Sequence, residues 1–149
     1  MAHRTLEALY CDDIRHEIGG KLSYIGVYNA EMYVPGFPIT LPKLCVALWA
    51  VIPNDRPVQG MSFKVLKDDE VVHQVEIGDL PPPPADFWER ENQDAGETFT
   101  TMMTYVAFSP LNLEGPCKIR VRAYTSDGEE LKGSALTIRE APEGALQDT

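Results

Sequence analysis

Glycine and proline divide this chain into short runs that favour β-strands. The sequence contains 11 glycines and 12 prolines, and many of the runs between them alternate apolar with polar residues. Such alternation is typical of strands that are buried on one face, and no convincing amphipathic helix is found. The pattern predicts an all-β fold: a two-sheet antiparallel β-sandwich of the immunoglobulin-like type, with about eight strands and long proline-rich loops.

The first strand pair is predicted from a Gly-Gly dipeptide at positions 19–20. This dipeptide separates the runs 6–18 and 21–28, and the two-residue turns of β-hairpins need the positive φ that glycine adopts readily. Counting back from a two-residue turn places Arg15 opposite Tyr24. We therefore expect a β-hairpin in this register.

Several further runs predict strands. The run 44–52 is apolar at even and odd positions alike, as in a strand covered on both faces, and we expect it to be the central core strand. Residues 61–77 predict a second hairpin with one solvated face. Strands are also expected at 99–108, 117–124 and 131–138, of which 117–124 alternates most clearly.

Two proline-rich segments predict long connections. Three prolines between positions 34 and 42 remove N–H donors from a β-ladder, which favours an extended crossover without a sheet partner. Four consecutive prolines at 81–84 favour a polyproline II segment, and the polar stretch 86–97 predicts a loop or at most a short helix. We expect one domain over residues 1–139 and a flexible tail over 140–149.

The charge of the chain bears on its partners. Acidic residues outnumber basic ones by 23 to 13, and the net charge is -10. This charge repels a phosphate backbone unless the basic residues lie on one face, so the expected partner is a protein, self or other, and not nucleic acid. The N-terminus lacks the apolar core of a signal peptide, and no apolar run is long enough to span a membrane. We therefore expect a cytoplasmic protein without a membrane partner.

The residue types that carry chemistry do not form a recognisable catalytic or metal-binding pattern. Cys11, Cys45 and Cys117 are far apart and lie in strand-like runs without CxxC or Cys/His spacing, which predicts free, buried thiols. The three histidines have no second ligand nearby in sequence. The motifs GxSxG, GxGxxG and GxxxxGK[ST] do not occur. We expect no cofactor, no metal and no enzymatic activity.

The densest polar cluster spans residues 11–17. On a strand, Asp13 and Arg15 would lie on one face, about 6–7 Å apart, and Asp12 on the other. We interpret Asp12, Asp13 and Arg15 chiefly as a structural clasp, in which the carboxylates accept N–H groups from the crossover 34–42. The alternative is that these three residues form a partner-binding surface.

Lys118, Arg120 and Arg122 form a positive row on the clearest alternating run. Three charges on one strand face span roughly 13 Å. The row is either the solvated side of an outer strand or a basic patch for an acidic partner, and carboxylates nearby in sequence could neutralise it.

The first third of the chain also carries a pattern of short motifs. They are CDD-I-R at 11–15, Gly20-Lys21, Ile25-Gly26-Val27-Tyr28, Phe37-Pro38 and Leu41-Pro42-Lys43-Leu44. The pattern resembles that of an uncharacterised bacterial family, a domain-of-unknown-function family. The resemblance implies a bacterial or phage-derived cytosolic protein and transfers no catalytic residue.

Three hypotheses for function follow from these features. The first is a non-enzymatic module that binds another protein through loops or edge strands, and the absence of a catalytic signature favours it. The second is a structural component of a larger assembly, for example of phage origin. The third is a small-ligand binder or an enzyme whose site is assembled between the sheets, which a deep pocket with convergent polar groups would support.

Overall fold

The computed structural model describes residues 3–78 and 99–144, in which every regular element is a β-strand. The strands are β1 (Thr5–His16), β2 (Leu22–Tyr28), β3 (Glu31–Val34), β4 (Ile39–Leu41), β5 (Leu44–Pro53), β6 (Met61–Lys67), β7 (Glu70–Ile77), β8 (Phe99–Phe108), β9 (Leu111–Leu113), β10 (Cys117–Thr125), β11 (Glu130–Lys132) and β12 (Leu136–Glu140). The predicted all-β class is confirmed. The strands outnumber the predicted eight because several have only three or four residues, too few for alternation to be visible.

The strands form three sheets within these residues. A four-stranded sheet has the order β2-β1-β5-β8, a larger sheet has the order β3-β12-β10-β6-β7 with β11 beside β10, and β4 pairs with β9. The pairs are antiparallel except β12 with β3, which is parallel. A wholly antiparallel arrangement is therefore a wrong prediction at this pair. β3 and β12 are far apart in sequence, so no hairpin turn fixes their relative direction.

The buried core confirms the two clearest strand predictions. β5 lies between β1 and β8, and its residues 44–48 are all buried. In β10 the alternate residues at 117, 119, 121 and 123 are buried. Side chains of the two larger sheets meet in one buried cluster. Tyr10 of β1 joins them directly, because its hydroxyl donates to the backbone oxygen of Ser134 at 2.7 Å and lies 3.2 Å from that of Ile119.

The β1–β2 hairpin forms, but the predicted register is wrong by one residue. Arg15 lies opposite Ser23, and Tyr24 lies opposite Ile14. The N–H of Glu17 donates to the oxygen of Lys21 at 2.8 Å, which encloses a three-residue loop at 18–20. Both glycines of the loop have positive φ. The first loop residue continues the apolar pattern of β1, and the sequence therefore does not mark it as part of the turn.

The proline-bearing crossover contains a strand, so the prediction that it lacks a sheet partner is wrong. β4 pairs with β9, and the Thr40 hydroxyl donates to Asn112 Oδ1 at 2.8 Å. Pro38 and Pro42 flank β4 and leave its own N–H groups available for pairing. The predicted segments 81–84 and 86–97, and the last five residues of the predicted tail, lie outside the described residues. No described helix is long and apolar enough to cross a membrane.

The predicted strand 131–138 is divided into β11 and β12 at Gly133. A Cβ at this position would lie 2.5 Å from Val121 Cγ2 and 3.3 Å from Leu6 Cγ, and both neighbours are buried. The backbone of residue 133 thus packs directly against the core, which requires glycine.

Gly133→Ala is expected to lower the free energy of unfolding by about 1–3 kcal/mol, because the added methyl overpacks a filled core. Gly115→Ala is the matched control, since a Cβ at Gly115 meets nothing within 4 Å. Urea denaturation measures both variants. Equal midpoints for the two variants would contradict the close packing of Gly133.

Candidate functional site

The far half of the β1–β2 hairpin bends over the outer face of its own sheet. The Tyr24 ring lies 5.7 Å from the Trp49 ring, at 69° to it, and the Tyr24 hydroxyl lies 4.0 Å from Met103 Sδ. His16 Nε2 lies 2.5 Å from the Tyr105 hydroxyl oxygen. These contacts bring the hairpin against β5 and β8 and explain why β5 is apolar on both faces.

Asp12 lies on the hairpin against Gly26. Gly26 has a φ of 68°, and a Cβ there would lie 2.2 Å from Asp12 Oδ2. The Tyr28 hydroxyl donates to Asp12 Oδ1 at 2.5 Å. Burial and this hydrogen bond to a carboxylate both raise the pKa of Tyr28. The Asp12 side chain is thus bound within the hairpin.

Asp13 connects β1 to the segment before β5. Its Oδ1 accepts from Lys43 Nζ at 2.6 Å and from the N–H of Ile14 at 3.0 Å. The Lys43 ammonium group holds the pKa of the Asp13 carboxyl below its usual range. Asp13 and Lys43 form a partly exposed ion pair at the rim of the hairpin.

The predicted clasp is wrong about which groups donate hydrogen bonds to Asp12 and Asp13. In the part of the chain that the structure describes, no backbone N–H of residues 34–42 donates to Asp12 or Asp13, and the side chains of Tyr28 and Lys43 do so instead. Among the described residues, Arg15 forms no ion pair with Asp13 and no cation–π contact with Tyr24. Its Nε lies 4.0 Å from Glu17 Oε1, and 64% of its side chain is exposed.

The outer strand β2 exposes apolar side chains along an uncharged edge. Its sequence, LSYIGVY, contains no charged residue and no proline. Ile25 is 41% exposed and Val27 52%, and Ile18 in the adjoining loop is 96% exposed. We call Leu22–Tyr28 the β2 edge. The Asp13–Lys43 pair borders it, because Asp13 lies opposite Ile25.

The predicted basic row lies on the outward side of β10, and neighbouring strands enlarge it. Arg122 lies directly opposite Lys64 of β6 on one side and Lys132 of β11 on the other. Residues opposite each other in an antiparallel pair share a face. We define the basic face as six of the chain's 13 basic residues: Lys64, Lys118, Arg120, Arg122, Lys132 and Arg139.

In the described part of the chain, three of the six cations of the basic face form ion pairs with carboxylates. The three ion pairs are Arg120–Asp69 at 3.8 Å, Lys132–Glu130 at 3.8 Å and Arg139–Glu31 at 2.9 Å. Among residues 3–78 and 99–144, no carboxylate oxygen lies within 4.0 Å of the charged nitrogens of Lys64, Lys118 or Arg122. Lys64 instead lies 4.9 Å above the Tyr124 ring.

A shallow, open groove crosses one end of the basic face. Lys118, Arg120 and Arg139 line it together with Asp68 and Pro116. Asp68 Oδ1 is occupied, because it accepts the N–H of Lys118 at 3.0 Å. The groove therefore presents guanidinium and ammonium groups to a ligand.

The three cysteines are free and buried, as predicted. Burial raises the pKa of the Cys11 thiol to about 11, so this thiol is protonated at neutral pH and is a poor nucleophile. Among the residues that the structure describes, no group of three or more His, Cys, Asp or Glu side chains is placed to hold a metal ion.

Several residues of these surfaces were missed from sequence. Lys43 lies in the LPKL motif, but nothing in the motif indicates that its partner is Asp13. Lys64, Lys132 and Arg139 join the basic face only through strand pairing. Of these three, Lys64 could have been found, because it alternates with apolar residues in a predicted hairpin. A count of basic residues at the outward positions of the predicted strands would have included it.

A sequence model of a family of unknown function (DUF6941) matches residues 7–139. This match confirms the predicted resemblance to an uncharacterised domain family, and it includes both the β2 edge and the basic face. No curated protein matches the chain.

Proposed function

The chain belongs to the DUF6941 family, whose function is unknown, and we propose that it is a non-enzymatic module that binds an extended segment of a partner protein along the β2 edge. We also infer how the two larger sheets are arranged. The two larger sheets share one buried cluster, which supports their assignment as the layers of an immunoglobulin-like sandwich.

The observation that carries the proposal is the chemistry of the β2 edge. Outer strands offer a row of unpaired backbone groups, and proteins usually protect them with charged residues or proline. The β2 edge has neither, although the chain as a whole has 36 charged residues, 13 basic and 23 acidic. An edge without this protection is suited to strand addition, in which the ligand supplies main-chain hydrogen bonds.

The exposed side chains indicate what kind of segment would bind. Ile25 and Val27 occupy alternate positions of β2, so a bound strand would place apolar side chains opposite them. The Asp13–Lys43 pair lies at the border and offers both signs of charge to polar flanking residues. This arrangement of an apolar centre and a polar rim is typical of protein interfaces.

Val27→Lys is expected to abolish partner binding, because the ammonium group would be buried without a partner against an added strand. Val71→Lys is the matched control, since Val71 is 45% exposed on β7, the outer strand of the other large sheet. Both changes are at exposed positions and should alter stability by no more than about 0.5 kcal/mol.

The measurement is affinity purification of the tagged protein from its own host at native expression, with mass spectrometry and sizing. We expect a stoichiometric companion with the parent and Val71→Lys proteins, and its loss with Val27→Lys. The purified companion, added back, should slow amide hydrogen exchange in β2 and not in β7. A lone monomer in every purification, or equal recovery with both variants, would refute the proposal.

A further inference from the structure

We propose that the basic face binds an acidic segment of a protein, at a site separate from the β2 edge. The net charge of the chain is -10, yet six of its 13 basic residues lie on one face of one sheet. These six cations outnumber the three carboxylates that strand pairing places on the same face, Glu31, Glu76 and Glu130, and an excess of positive charge attracts and orients an anionic partner.

The spacing of the cations matches an extended polypeptide. Lys118, Arg120 and Arg122 occupy alternate positions of β10, and alternate residues of a strand are about 6–7 Å apart. An extended chain with Asp or Glu at every second residue repeats its carboxylates at the same distance. Its charges can therefore meet the row one to one when it lies along β10.

The basic face also extends across the neighbouring strands, which enlarges the area that a ligand can contact. Lys132, Arg122 and Lys64 lie side by side on three neighbouring strands, which are separated by about 4.8 Å. A carboxylate above Arg122 would therefore be within reach of cations on both sides.

Half of these cations have no carboxylate partner in the described part of the chain, and Arg122 Nη1 donates to the backbone oxygen of Val121 at 2.8 Å. Lys64, Lys118 and Arg122 have no carboxylate within 4.0 Å among residues 3–78 and 99–144. Arg120 pairs with Asp69 at 3.8 Å, and the Asp69 side chain is 99% exposed. Exposed ion pairs contribute little to stability, so a partner's carboxylate can replace Asp69 at low cost.

The carboxylates around the face favour a protein over a nucleic acid. Glu31 and Glu130 lie on the same face as Arg139 and Lys132. A continuous phosphate backbone would meet these carboxylates and the negative charge of the remaining surface. A protein segment can alternate acidic with neutral or basic residues and so avoid this repulsion.

The test measures binding of a fluorescein-labelled peptide of about ten residues, with glutamate and serine in alternation, by fluorescence anisotropy at low salt. Arg120→Gln/Arg122→Gln is compared with Arg15→Gln/Lys21→Gln. Each double variant removes two positive charges, which changes the net charge from -10 to -12, and Arg15 and Lys21 lie on the exposed hairpin.

We expect the first double variant to raise the Kd about tenfold, which corresponds to about 1.4 kcal/mol, and the second to change it less than about twofold. Binding of the parent should weaken as salt is added. Thermal unfolding verifies that both double variants are folded. The proposal fails if the peptide does not bind, if the two double variants lose affinity equally, or if an oligothymidylate of equal length binds more tightly than the peptide.

Discussion

Arg4→Ala should lower the free energy of unfolding by about 2–4 kcal/mol, because it leaves backbone carbonyls unpaired and removes a buried side chain. Only 3% of the Arg4 side chain is exposed. Its guanidinium group donates to the backbone oxygen of Arg56 at 3.0 and 2.8 Å and to that of Pro57 at 3.1 Å. It also pairs with Asp127 at 2.9 Å and with Glu129 at 3.0 Å. Arg4 thus holds the start of β1, the loop after β5 and the turn after β10 together.

Urea denaturation of Arg4→Ala and Arg4→Lys measures this contribution. Lysine keeps the charge but lacks the planar fork of donors, so Arg4→Lys should fall between the parent and Arg4→Ala. Arg15→Ala is the control, because Arg15 is exposed and should alter stability by no more than about 0.5 kcal/mol. Equal effects of Arg4→Ala and Arg15→Ala would show that the buried network does not stabilise the fold.

The effect of Arg4→Ala should depend on pH. The Thr125 hydroxyl and the Arg4 guanidinium hold the pKa of Asp127 below its usual range. A carboxyl whose pKa is lowered by folding stabilises the protein above the unfolded pKa, about 3.9, and loses this contribution as the pH falls through the folded value. The difference between parent and variant should therefore be constant from pH 7 to about pH 5 and should narrow below about pH 4. A difference that does not narrow would assign the effect to the carbonyl contacts alone.

The position of Arg4 shows why sequence alone could not identify this network. Its carboxylate partners are 123 and 125 residues away, and a single arginine near an N-terminus has no periodic signal. The strands β5 and β10 were predictable, because uniform or alternating hydrophobicity is a local property. β4 was not, because its partner strand lies about 70 residues further along the chain, as the pair Thr40 and Asn112 illustrates.

The residues of the candidate surfaces were likewise predictable only where the signal is local in sequence. Lys118, Arg120 and Arg122 were identified because they alternate along one strand. The other half of the basic face comes from strand order, which the sequence does not specify. In the hairpin, the cluster around Asp12 and Asp13 was visible, but a register error of one residue assigned Arg15 to the wrong neighbour. Side-chain pairing depends on register, so this single error altered the proposed contacts of the cluster.

Substitution of Gly26 tests whether the bend of the β1–β2 hairpin depends on a glycine at this position. Gly26→Ala should lower the free energy of unfolding by about 2–4 kcal/mol, from two sources. A non-glycine residue at a φ of 68° costs about 1 kcal/mol. The new Cβ would also lie 2.2 Å from Asp12 Oδ2 and 2.8 Å from Asp12 Cγ, and relieving this overlap displaces Asp12 from its bond to Tyr28.

Gly128→Ala separates the two sources, because Gly128 also has positive φ but a Cβ there meets nothing within 4 Å. It should cost only the backbone contribution of about 1 kcal/mol. Removing the carboxylate as well should relieve the overlap, so the cost of Asp12→Ala/Gly26→Ala should be less than the sum of the two single costs. Thermal and urea unfolding of the four variants measure this coupling. If Gly26→Ala costs no more than Gly128→Ala, or if the double variant is additive, Asp12 does not pack on Gly26 and the hairpin bend has another cause.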